Sequence, residues 1–199
     1  MGKRLFDIAA AGLGLVLLAP LMLVLALWIR LDSPGPAFFR QERVGRHGAP
    51  FRIHKFRTMT YEPAPRGPQI TVGADARITR AGAFLRRAKL DELPQLIDVL
   101  RGDMSIVGPR PEVPRYVALY PTELRAKVLS VRPGITDFAS IEYRDESALL
   151  ARAPDSEREY TEVVMPAKLR LAAQYVDQAS LATDLCLIVR TLKALARRD

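Results

Sequence analysis

The chain has 199 residues, 49% of them hydrophobic, which is enough to bury a sizeable core and excludes disorder as the main state. Its 30 Lys and Arg outnumber 22 Asp and Glu, and the resulting charge of +8 favours anionic partners such as phosphates, nucleic acid or a phospholipid surface. A single cysteine, Cys186, with the two histidines His47 and His54 far from it in sequence, excludes an internal disulfide and a Cys/His zinc module.

The first element is the run from residue 8 to residue 29, 22 residues without a charged or hydrogen-bonding side chain except the indole of Trp28. As a helix rising about 1.5 Å per residue it measures about 33 Å, close to the roughly 30 Å hydrocarbon core of a bilayer. A signal peptide has a shorter apolar core and a small-residue cleavage site, whereas this run ends in Leu27-Trp28-Ile29-Arg30. Pro20, near the middle, removes a backbone donor and crowds the Val16 carbonyl, so a kink is expected. Length favours a straight span. Charge favours the other solution: Lys3 and Arg4 before the run, Arg30 after it and a basic domain downstream pull both ends to the cytoplasmic side, which only a re-entrant helix-break-helix satisfies.

A turn-rich exit, Asp32-Ser33-Pro34-Gly35-Pro36, closes the apolar segment. The runs AFFRQERVG and PFRIHKFRTM, separated by the turn at residues 45–50, then predict a β-hairpin. Neither face of the second run is cleanly apolar, which suits a surface or site-lining strand. Residues 60–78, with three prolines and two glycines, read as a long loop that orders over substrate. Helical signals dominate from there: 79–89, 91–101, 111–129, 145–152, 156–178 and 180–197. The last places Arg190, Lys193 and Arg197 on one face and Leu181, Leu185, Ile188, Leu192 and Leu195 at helical spacing elsewhere, suiting either a core-packed helix or one lying on the lipid interface.

Fourteen cations but only seven anions fall in residues 40–110, so the anion-binding surface belongs there. Within it, Asp91 and Glu92 stand side by side between Arg86-Arg87-Ala88-Lys89 and Arg101. Pro94 is tolerated only in a first helical turn, which places Asp91 at or near an N-cap and Glu92 just inside it. Ordinary helix capping accounts for that pair as well as catalysis does; in the second case a phosphate approaches the helix end, bridged by a divalent metal on the carboxylates. Arg110, in Gly108-Pro109-Arg110-Pro111, and Arg132, in Arg132-Pro133-Gly134, each sit on a rigid turn suited to bidentate phosphate binding or to a structural carboxylate pair. The histidines lack a Ser or Cys partner, Cys186 reads as a core residue, and no Walker-type or dinucleotide-binding glycine pattern is present. Nucleic-acid binding sits poorly with the adjoining apolar segment. A membrane-tethered, non-catalytic basic protein holding anionic lipid or nucleic acid is the rival reading.

Together, FFRQERVG, FRIHKFRTM, LRRAKLDELPQLIDVLRGDMSIVGPRPE and VRPGIT, in this order and spacing, resemble the bacterial sugar transferases of the monotopic phosphoglycosyl transferase superfamily, over essentially the whole chain. The chain looks like the small form, without the additional transmembrane helices of larger members. The resemblance implies an α+β, mostly helical fold. Residues 1–31 would form a re-entrant membrane helix broken at Pro20, and residues 32–199 a catalytic domain on the cytoplasmic face of the bacterial inner membrane, with the small hairpin and amphipathic interfacial helices.

It also implies that Asp91 is the nucleophile and a Mg2+ ligand, and that Glu92 supports it. Lys55, Arg86 and Arg110 would face substrate phosphates, with Arg57 and Arg132 as further substrate-binding candidates. The implied reaction moves a phosphosugar from a UDP-sugar to a polyprenyl phosphate at the phospholipid bilayer, with no nucleic-acid partner. Two departures stand out. Ala19-Pro20 replaces a common Ser-Pro, and residues 137–142 differ from the family's usual continuation after Thr136, so the sugar does not transfer by analogy.

Overall fold

The computed structural model describes residues 2–61, 70, 72–73 and 75–196. Within them the fold is α+β and mostly helical. Helix α1 spans Gly2–Asp32, and an antiparallel hairpin follows from β1 (Phe38–Val44) and β2 (Pro50–Phe56), paired Phe38 with Phe56 through Val44 with Pro50. After α2 (Arg80–Arg87) come a 3₁₀ turn (Leu90–Glu92), α3 (Gln95–Arg101) and β3 (Ser105–Val107). Short helices α4 (Pro114–Val117) and α5 (Thr122–Val128) lead to β4 (Gly134–Thr136), which pairs in parallel with β3. The chain then runs through α6 (Phe138–Glu142), α7 (Glu146–Leu150), α8 (Ser156–Glu159), a π-helical turn (Tyr160–Val164), α9 (Met165–Gln178) and α10 (Leu181–Ala196).

Helix α1 is held at both ends by the rest of the chain. At its start Lys3 pairs with Asp184 at 2.5 Å, Arg4 donates to the Val99 and Leu100 carbonyls, and buried Asp7 accepts from the Ser105 hydroxyl and the Ile106 N–H. At its end Arg57 donates to the carbonyls of Ile29, Ser33 and Pro34, and Asp32 accepts from the Ala81 N–H at 2.9 Å. Between these anchors Ala11 packs with Ile53, Val99 and Met104, while Leu25 and Ile29 pack with Phe56, Ala81 and Leu85. The opposite side is bare: Leu13, Val16, Leu17, Leu23, Val24 and Leu27 are each more than half exposed. Covering one such side chain is worth roughly 1.5–3 kcal/mol, so this face requires an apolar surround.

Helical structure is continuous across Pro20, as it is in kinked helices too. Several sequence expectations need correction. The single helix expected over 91–101 is a 3₁₀ turn followed by α3, because Pro94, which cannot donate, occupies the N-cap position of α3. The helix expected over 111–129 is split at Tyr120-Pro121. Strand β2 is less of a surface element than its pattern suggests: Ile53, His54 and Phe56 are buried, because α1 covers the hairpin. Cys186 is exposed rather than core. Most of the loop expected over 60–78, and Arg197, lie outside the described residues.

Candidate active site

Three elements converge on the acidic pair. Helix α2, capped by Thr79 accepting from the Gly82 N–H, packs so closely on the hairpin exit that a Cβ at Gly82 would collide with the Thr58 carbonyl. This approach lets the Arg86 Nε donate to Thr58 Oγ1 at 2.8 Å. The chain then reverses at Lys89, whose positive φ of 55° is unusual for a side chain with a Cβ, and enters the 3₁₀ turn carrying Asp91 and Glu92. Leu90 and Leu93 turn into the cluster around Leu85 and Phe56, which fixes the turn against the core. Asp91 is therefore not an N-cap.

The second element is β2, which presents Lys55. The third is the turn after β3, which carries Arg110. Its rigidity comes from the parallel β3–β4 pair: a Cβ at Gly134 would collide with the Gly108 nitrogen, and the Gly134 N–H donates to the Pro109 carbonyl at 2.9 Å. The two proline-glycine motifs therefore form one support.

Glu92 is fully engaged. Its carboxylate accepts from Lys55 Nζ at 3.1 Å and from both terminal nitrogens of Arg110, a fork-to-fork pair with one arm at 3.1 Å. Burial alone would raise its pKa, but Arg110 and Lys55 hold it well below the ordinary carboxylate range. Asp91 is the opposite case. It is 9% exposed, and among the described residues no hydrogen bond engages its carboxylate. Burial raises its pKa, Lys55 opposes the rise, and the neighbouring Glu92 adds to it. Burial lowers the pKa of Lys55 against the pull of Glu92, and lowers that of Arg86 against the pull of Asp91. One carboxylate is thus locked into the cation cluster, and the other lies beside it without a hydrogen bond among the described residues.

Lys55, Arg86, Asp91, Glu92 and Arg110 are brought together. Arg57 and Arg132 are not: Arg57 caps the carbonyls at the end of α1, and Arg132 Nε donates to the Gly102 carbonyl at 2.7 Å. Sequence reasoning missed three supporting groups. Arg43 bonds Glu112 and the Pro111 carbonyl, bracing the Arg110 turn. Glu112 also accepts from the Tyr160 hydroxyl at 2.5 Å. Buried Asp98 accepts from the His54 backbone N–H at 2.8 Å and meets its Nδ1 at 2.5 Å, clamping the strand of Lys55 to α3. An Asp set among the apolar Leu96, Ile97, Val99 and Leu100 was the one available signal for that clamp.

The donor set suits Mg2+ as that ion is usually held, by one or two carboxylates plus substrate phosphates, since among the described residues no hydrogen bond occupies the Asp91 carboxylate. No group of three or more His, Cys, Asp or Glu that could hold a metal without substrate exists among the described residues.

The model of the bacterial sugar transferase family matches residues 1–198. A UDP-glucose:undecaprenyl-phosphate glucose-1-phosphate transferase of Caulobacter vibrioides is 43% identical over 99% of this chain and 70% of its own length. A UDP-N-acetylgalactosamine-undecaprenyl-phosphate N-acetylgalactosaminephosphotransferase of Aeromonas hydrophila is 36% identical over 97% of this chain and 43% of its own. The Escherichia coli enzyme named for the same glucose-1-phosphate transfer is 42% identical over 75% of this chain, spanning 33% of that protein. The chain thus spans less than half of two of these relatives.

Proposed function

The chain belongs to the bacterial sugar transferase family, and on that premise we propose that it transfers a phosphosugar from a UDP-sugar to a polyprenyl phosphate such as undecaprenyl phosphate. An Asp91 oxygen attacks the phosphorus that bears the sugar, and the bond from that phosphorus to the UMP oxygen breaks. UMP leaves with the electron pair, and an aspartyl-phosphosugar remains. A phosphate oxygen of the lipid then attacks the same phosphorus, breaks its bond to Asp91 and leaves as polyprenyl-diphospho-sugar.

The observation that carries this reading is the division of labour between neighbouring carboxylates. Glu92 is spent on Lys55 and Arg110, whereas Asp91 is nine-tenths buried, unbonded, and within the field of Lys55, Arg110 and Arg86. A dianionic diphosphate repels an attacking carboxylate, and these cations offset that repulsion where charge develops. Mg2+ held at Asp91 and the diphosphate would supply further neutralisation.

The membrane placement has its own support. Both ends of α1 are fastened to one domain, so a helix that enters and leaves by one face fits better than a span. Helix α10 adds Leu181, Leu185, Val189, Leu192 and Leu195, each at least a third exposed, beside Arg190 and Lys193, the pattern of a helix lying in a headgroup layer. We place the site at the cytoplasmic face of the inner membrane, where a soluble nucleotide and a lipid acceptor meet. Asp91→Asn is expected to abolish UMP release from UDP-sugar without acceptor, as is removal of Mg2+ with EDTA. UMP release at the unmodified rate in Asp91→Asn would exclude Asp91 as nucleophile.

A further inference from the structure

The chain just beyond α6 comes back to the turn that carries Asp91. Lys89, two residues before Asp91, donates through Nζ to the Arg144 carbonyl at 3.2 Å, which brings the start of α7 against the catalytic turn. There Glu146 pairs with Lys168 of α9 at 2.6 Å, with side chains 27% and 16% exposed: held, yet reachable by a solute. The Lys168 ammonium lies 5.4 Å from the centre of the Tyr160 ring, and the Tyr160 hydroxyl donates to Glu112, two residues beyond Arg110. The ion pair is thereby tied on one side to the Asp91 turn and on the other to the Arg110 turn. Tyr160 opens the π-helical turn, a rare conformation that recurs at functional sites, and this turn sets Tyr160 and Lys168 on one wall.

We infer that the Glu146–Lys168 pair is the saccharide subsite of the reaction proposed above, the carboxylate accepting from and the ammonium donating to hydroxyl or acetamido groups of the sugar. This inference rests on that reaction. The phosphate half of the site is built from cations, whereas this wall offers one acceptor and one donor with no net charge, which suits a neutral polyhydroxylated group and gives a phosphate no net attraction. Proximity points the same way. The sugar is bonded through a single oxygen to the phosphorus that Asp91 attacks, while the uracil lies beyond the second phosphate and a ribose. A nucleobase would also need an aromatic face, and that of Tyr160 is taken by Lys168 and by the edge of Tyr116 at 4.9 Å. A part-buried polar pair of this kind discriminates between sugars, because one lacking the matching hydroxyl forgoes its hydrogen bond to the pair.

The test measures kcat/KM for UMP release by the full chain, and by its Glu146→Gln and Lys168→Met variants, from UDP-glucose, UDP-galactose, UDP-N-acetylglucosamine and UDP-N-acetylgalactosamine. The expected result is a change of at least tenfold in the ratio between the preferred sugar and its epimer, with inhibition by UMP unchanged within twofold. Two variants guard against misfolding, since either alone carries the ratio. Equal loss on all four sugars, or weakened UMP inhibition in parallel, overturns the subsite and leaves the parent reaction standing. A chain that releases no UMP from any of the four overturns the reaction itself.

Discussion

A carboxylate buried beside a second, fully paired carboxylate is a costly arrangement, and the cost makes Asp91 testable on its own. Folding raises its pKa, so ionised Asp91 opposes folding at neutral pH; the penalty starts to fall as pH drops through the raised value and is gone below the ordinary one. Asp91→Asn should therefore melt at or above the temperature of the parent at pH 7, while losing activity; a large fall in melting temperature would contradict this. The acid limb of kcat/KM should lie above about 3.9, the ordinary aspartate value, and the alkaline limb, set by Lys55, below about 10.4. Glu92→Gln should instead destabilise by about 1–2 kcal/mol, since it leaves the part-buried Lys55 and the third-exposed Arg110 without their counter-charge, screened in part by solvent; a melting curve that does not move would contradict it. At this scale the fold gathers Asp91, Glu92, Lys55, Arg86 and Arg110, the residues that the family resemblance had set side by side. Arg57 and Arg132 looked equivalent in sequence, because a chain shows a guanidinium without its acceptor. In both cases the acceptor is a backbone carbonyl that only the folded loop supplies.

Legibility at the level of elements followed the length of the local signal. The hairpin was readable because breakers bracket two seven-residue strands. The β3–β4 pair was not: each strand has three residues, they are joined only across a long gap in sequence, and the glycine contact that seats them leaves no periodic pattern. Helix α1 was readable as apolar and membrane-sized, but its packing against α3 on one half and α2 on the other was not, since small residues such as Ala11 and Gly14 carry the approach. That packing yields an element-scale expectation. Because both ends are anchored, Pro20→Ala should leave the start of α1 on the cytoplasmic side. With exposed Cys186 replaced by serine, a Gly2→Cys label should react only after the cytoplasmic face is opened. Labelling from the outer face would show a span.

At the scale of the molecule, α1 is part of the core as well as the membrane contact. It supplies Ala11, Leu25 and Ile29 to two clusters and a partner to buried Asp184. Deleting residues 2–31 should accordingly give aggregated chain rather than a soluble enzyme, checked by size-exclusion chromatography; a monodisperse, folded product would contradict it. The cation cluster around Glu92, the bare face of α1 and the apolar flank of α10 lie in one molecule, which suits the proposed meeting of a soluble donor with a bilayer-confined acceptor. The central claim is that the phosphosugar resides on this chain between the two substrates. Intact-protein mass spectrometry after incubation with Mg2+ and a UDP-sugar, without lipid acceptor, tests it most directly. The account predicts a mass increase equal to one phosphosugar, lost on addition of polyprenyl phosphate and absent in Asp91→Asn; turnover to lipid-linked product with the mass never changing would contradict it.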